Sequence, residues 1–164
     1  MSYQEKRTIT SMVSGLLILA AYCLYAFGKY QQGLVDLSDL KFWAGAMLLF
    51  IGIGVGAVMI IQILFHILLA IGIAVKEREC DDKKISKTIE ATVVEDEMDK
   101  LIELKALRIS FVIAGVGFVS GLASLALGHP PAVMLNLLFL TVSLGSVAEG
   151  FMSLYYYRKG VRNG

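Results

Sequence analysis

The stretch FWAGAMLLFIGIGVGAVMIIQILFHILLAIGIAV, Phe42 to Val75, decides the fold: 34 consecutive residues carry no Asp, Glu, Lys or Arg. A bilayer core about 30 Å thick is crossed by roughly 20 apolar helical residues, so this run reads as a transmembrane helix. It is longer than one crossing needs and too short for two with a turn, which predicts a single helix that tilts or continues beyond the lipid. On either side the pattern repeats. Thr8 to Gly28 is uncharged, Ile109 to Gly128 forms a third span, and Ala132 to Tyr157 forms a fourth interrupted only by Glu149.

The expected fold is therefore all-α: an integral membrane four-helix bundle in one domain, residues 1–164, with spans at about 8–28, 42–75, 109–128 and 132–157. Composition agrees, since 57% hydrophobic residues and a mean hydropathy of +0.70 exclude an ordinary soluble domain. Orientation follows from the basic residues. Lys6 and Arg7, the eight Lys and Arg between Lys76 and Arg108, and Arg158, Lys159 and Arg162 share one side, whereas only Lys29 and Lys41 flank the other. The positive-inside rule places both termini and segment 76–108 in the cytoplasm. Basic and acidic residues are interleaved, so no nucleic-acid partner is expected.

The first uncharged run exceeds the apolar core of a signal peptide, which predicts a retained anchor. Cys23 falls inside the first span and Cys80 on the cytoplasmic side, so the two are not expected to form a disulfide. No cofactor is expected.

Small residues mark the packing faces. In the third span Ser110, Ala114, Gly117, Gly121, Ser124 and Gly128 recur at steps of three and four, and in the second Gly45, Gly52 and Gly56 share a face with His66. Such stripes let backbones approach closely, either within one bundle or between copies of the chain in a homo-oligomer. Gly115, Gly117 and Gly121 are not a dinucleotide loop, because no strand precedes them.

Glu149 is the leading functional candidate. A charged side chain at the centre of a span costs at least about 2.5 kcal/mol on insertion scales, so the carboxyl is expected to face the protein and find a partner. His66 lies ten residues before Lys76 and Glu149 nine before Arg158, which sets the two at similar depth, with Gln62 one turn from His66. The triad Glu149, His66 and Gln62 reads as a structural hydrogen-bonded clamp or as part of a proton, cation or ligand pathway. A metal site or a catalytic triad would need further ligands or a nucleophile, so an enzyme is not expected.

Segment 76–108 has eight basic and ten acidic residues interleaved with Ile85, Ile89, Val93, Met98, Leu101 and Ile102, a pattern suited to amphipathic helices. Acidic residues from Glu95 to Asp99 precede Lys105 and Arg108, as the helix dipole favours, and the third helix is expected to begin before the membrane. Asp96, Asp99 and Glu103 share a face that could attract a divalent cation, but with carboxylates alone and no EF-hand loop a solvated helical face explains them better. The segment is also the natural surface for a cytoplasmic or membrane protein partner.

The run Asp96-Glu-Met-Asp-Lys-Leu-Ile-Glu-Leu-Lys-Ala-Leu-Arg108, the Gly-rich span after it, Pro130-Pro131 and Tyr155-Tyr-Tyr-Arg158 together resemble a family of small uncharacterised four-helix membrane proteins of bacteria and archaea. Members often carry Arg where this chain has Met98. The resemblance covers mainly the C-terminal two-thirds and implies a four-helix fold in a prokaryotic cell membrane, without implying a substrate. The sequence thus points to a small accessory or regulatory membrane protein, with a homo-oligomeric proton, cation or small-molecule transporter or channel as the alternative.

Overall fold

The computed structural model describes residues 3–77 and 97–160. They form four helices: α1 (Tyr3–Gln31), α2 (Leu40–Glu77), α3 (Glu97–Ala126) and α4 (Pro131–Lys159). All four are long and apolar enough to cross a membrane. At about 1.5 Å per residue the 38 residues of α2 extend well past a bilayer core. α3 is continuous from Glu97, so residues 97–108 prolong the third apolar stretch as helix.

Local chemistry sets the ends. After α1 the chain takes up a positive φ of 69° at Gly33, where Leu34 N–H donates to Lys29 O (3.1 Å) and Gly33 N–H to Tyr30 O (3.0 Å). This pair of bonds satisfies the last carbonyls of the helix, and glycine meets the required backbone conformation without a Cβ clash. Asp39 then caps α2, its Oδ1 accepting from Phe42 N–H at 3.1 Å. The α3–α4 turn repeats the first device: Gly128 has φ 82°, His129 N–H donates to Ser124 O at 3.0 Å, and Gly128 N–H to Leu125 O at 2.9 Å. Pro131 follows at the first position of α4, where a missing N–H costs nothing.

α3 and α4 pack along their length as a hairpin, and among the described residues the α3 backbone comes close to α4 alone. α1 lies against both α2 and α4, while α2 meets α4 only briefly. The small residues of α3 set the hairpin spacing. Gly117 and Gly121 are buried, and a Cβ added to Gly117 would overlap the side chain of Thr141, while one added to Gly121 would lie 3.0 Å from Met134 Cγ. Gly145 of α4 faces Ser110 of α3 just as closely, with the Ser110 carbonyl oxygen 3.1 Å from where a Cβ would sit. The α2 glycines behave differently: nothing lies within 4 Å of a Cβ placed on Gly45, Gly52 or Gly56.

The buried core sits toward the α1–α2 loop, and it is aromatic. Tyr22 and Trp43 are fully buried, with Ala26, Ala46, Met47, Phe50 and Ala132 around them. Trp43 Nε1–H donates to Asp36 O at 3.1 Å, tying the loop to α2. Most other large apolar side chains, such as Leu24, Leu48, Phe111 and Val119, are exposed, as lipid-facing surfaces require.

Candidate binding cleft

Polar positions on α1 recur at Gln4, Arg7, Ser11 and Ser14, spacings of three and four that place them on one helix face. α4 answers with Ser143, Ser146, Glu149 and Ser153 at similar spacing. These two stripes line a cleft of about 500 Å³, completed by Phe50, Gly54 and Ala57 of α2 and by Asp99, Ile102 and Glu103 of α3. Glycines keep the walls thin: Gly54 contributes no side chain, and Gly150 has Met12 of α1 only 3.3 Å from a notional Cβ.

The cleft is graded along its length. Arg7, Asp99, Glu103 and Tyr157 lie toward the end carrying the helix termini Tyr3, Glu97 and Lys159, the serines and Glu149 follow, and Ile18, Leu19, Phe50 and Phe139 make the other end apolar. Beyond the apolar end the span is filled by rings. Tyr22 stands edge-on to Phe50 at 5.6 Å between centroids and tilted against Phe139 at 4.4 Å. The Tyr22 hydroxyl donates to Asn136 Oδ1 at 2.7 Å, and Asn136 Nδ2–H donates to Ala132 O at 2.8 Å, so these buried polar groups satisfy one another.

Glu149 is half-buried on the wall of the cleft and is held by Ser110, whose hydroxyl donates to the carboxylate. Ser110 is well placed for this because Gly145, one turn before Glu149, lets α3 approach α4 at that level. Glu103, two turns before Ser110 on α3, lines the same cleft. At the terminal end Arg158 Nε stands 3.9 Å from Glu5 Oε1, joining α4 to α1.

His66 and Gln62 are placed elsewhere. Both are exposed on α2 and line a separate open hollow with Ile63, Ile67 and Ala70, whereas Glu149 lines the cleft beside α1. Of the acidic face read from the sequence, Asp99 and Glu103 both border the cleft and Asp96 lies outside the described residues. Among the described residues no group of three or more His, Cys, Asp or Glu side chains could hold a metal ion. The polar face of α1 and the Tyr22–Asn136 pair were not singled out by charge-based reading. Their signal was present as hydroxyls and amides recurring at helical spacing within apolar runs. No family model, curated protein or solved structure matches this chain.

Proposed function

We propose that this chain is a small accessory or regulatory protein of the cell membrane, folded as a four-helix bundle, that binds a small ligand in the cleft beside Glu149. Both termini and segment 76–108 are cytoplasmic in this reading, which rests on the asymmetry of Lys and Arg. The cleft then opens toward the cytoplasm. The observation that carries the proposal is its form: about 500 Å³, charged and hydroxyl-lined at one end, apolar at the other, and backed by the Tyr22, Phe50 and Phe139 rings. This volume falls within the range of small-molecule sites, and a recess backed by packed rings suits occupancy better than passage. Gly52 and Gly56 of α2, with open space beside them, offer a second copy of the chain a face for close helix packing.

Transport of protons or cations is the second reading. It is favoured by one observation, an ionisable carboxyl on a membrane-spanning helix at the wall of the cleft. Cysteine placed at the exposed cleft residue Ser146, in a background lacking Cys23 and Cys80, separates the two. The binding reading expects a membrane-impermeant maleimide to modify Ser146→Cys from the cytoplasmic side only, with no proton flux in proteoliposomes. Modification from both sides, with flux that Glu149→Gln abolishes, would establish transport. Protection from both sides would show that the cleft is closed to water and remove the binding reading.

A further inference from the structure

We infer that the cleft takes an amphipathic organic cation, its charged head beside Glu149 and Glu103 and its apolar body against Leu19, Phe50 and Phe139. The inference rests on the proposal that the cleft is a binding site, and it names the ligand class from the distribution of chemistry along the walls.

Charge decides the head group. Among the described residues the lining of the cleft holds Asp99, Glu103 and Glu149 and one cation, Arg7. An anion entering it would meet net negative charge in surroundings of reduced dielectric, where like-charge repulsion is stronger than in water. Glu149 accepts one hydrogen bond from Ser110, and a carboxylate has acceptor positions for several more. Glu103 borders the same cleft, so one positive head can stand near both carboxyl groups. A bare divalent ion fits less well, because among the described residues no three acidic, His or Cys side chains converge as ligands.

Shape decides the body. Phe139 and Glu149 are ten residues apart on α4, about 15 Å along the helix axis, and both line the same cleft. A ligand filling that length has its head among hydroxyls and carboxylates and its body among Ile18, Leu19, Phe50 and Phe139. An organic ammonium or phosphonium is weakly hydrated, so moving it from water costs less than burying a small hard ion, and one carboxylate partner offsets much of that cost. A neutral apolar molecule would gain nothing from Glu149 and Glu103, and a polar cation without an apolar body would leave the deep end unfilled.

Equilibrium dialysis of the purified full-length protein with radiolabelled 4-phenylbutyltrimethylammonium tests this, with 4-phenylbutanesulfonate as the ligand of similar length and opposite charge. The expected result is saturable binding of the ammonium that Glu149→Gln weakens about tenfold or more, with no saturable binding of the sulfonate. The ammonium should also slow maleimide modification of Ser146→Cys. Should Glu149→Gln fail to fold, Glu103→Gln, on an exposed position of α3, is expected to weaken binding at least about threefold. Equal binding of both ions, unchanged binding by a folded Glu149→Gln, or no saturable binding to a protein whose Ser146→Cys is readily modified would overturn the cation assignment and leave the cleft reading standing. A Ser146→Cys that reacts from neither side would overturn both.

Discussion

Replacing Gly117 with alanine adds one methyl group at the tightest crossing of α3 and α4. That methyl would overlap Thr141, and the overlapped atoms include the Thr141 Cβ itself, so no rotamer of Thr141 relieves the contact. The α4 backbone must move away, carrying with it the Thr141 hydroxyl bond to Leu137 O (2.7 Å), which lies within α4. Overpacking of this kind costs about 1–3 kcal/mol, and backbone displacement puts the cost toward the upper end. Glycine to alanine inside a helix returns about 0.5–1 kcal/mol. The net expectation is a loss of about 1–2 kcal/mol, a factor of roughly 5 to 30 in the ratio of folded to unfolded protein. Gly121→Ala is the internal control. There the nearest atom is Met134 Cγ at 3.0 Å, part of a flexible side chain, so the change should fall within about 0.5 kcal/mol of neutral. Reversible unfolding in mixed micelles, followed by circular dichroism, measures both. Thr141→Gly should make Gly117→Ala favourable in the double variant, because it removes the obstructing Cβ. A Gly117→Ala protein as stable as Gly121→Ala would show that α3 and α4 do not cross as closely as described.

Tyr22→Phe removes the donor to Asn136 Oδ1 from a buried pair and should cost about 0.6–2 kcal/mol in the same unfolding assay, with little further loss when Asn136→Leu is added. Gly56→Leu should leave unfolding of the monomer nearly unchanged, since a Cβ there meets nothing within 4 Å, while shifting any oligomer to monomer by light scattering; a Gly56→Leu monomer that unfolds early would place that face inside one chain. Arg158→Gln should change stability by no more than about 1 kcal/mol, because the Arg158 side chain is 65% exposed, although that of Glu5 is only 13% exposed.

Much of the helix layout was legible in the sequence, because lipid imposes a composition rule that charge-free runs obey visibly. Phe42 to Val75 without a charge became α2, Leu40–Glu77, and Pro130-Pro131 after Gly128 located the α3–α4 turn. The cleft was less legible. Arg7 aside, the polar part of its α1 wall is Gln4, Ser11 and Ser14, which register weakly in hydropathy and not at all in charge, although their spacing puts them on one face. Depth also carries no information about direction around a helix axis. Counting residues set His66 level with Glu149, but α2 meets α4 only briefly, and the structure presents His66 on an exposed face of α2 with Gln62. The partner that Glu149 does have, Ser110, belongs to the small-residue stripe of α3. Its hydroxyl reaches the carboxylate because Gly145 fixes the register of the hairpin, and that register follows from packing between helices distant in sequence.

Sidedness labelling of single cysteines at Ser38 and Ser86, with Cys23 and Cys80 replaced, tests most directly whether the helices cross a membrane in the proposed direction. Ser38 lies in the exposed loop between α1 and α2, and Ser86 in segment 76–108 between α2 and α3. In intact cells an impermeant maleimide should modify Ser38→Cys and spare Ser86→Cys, and inside-out vesicles should reverse the pattern. Modification of Ser86→Cys from outside intact cells, with Ser38→Cys protected, would invert the orientation and turn the mouth of the cleft away from the cytoplasm. Modification of both from the same side would contradict a second helix that spans the bilayer.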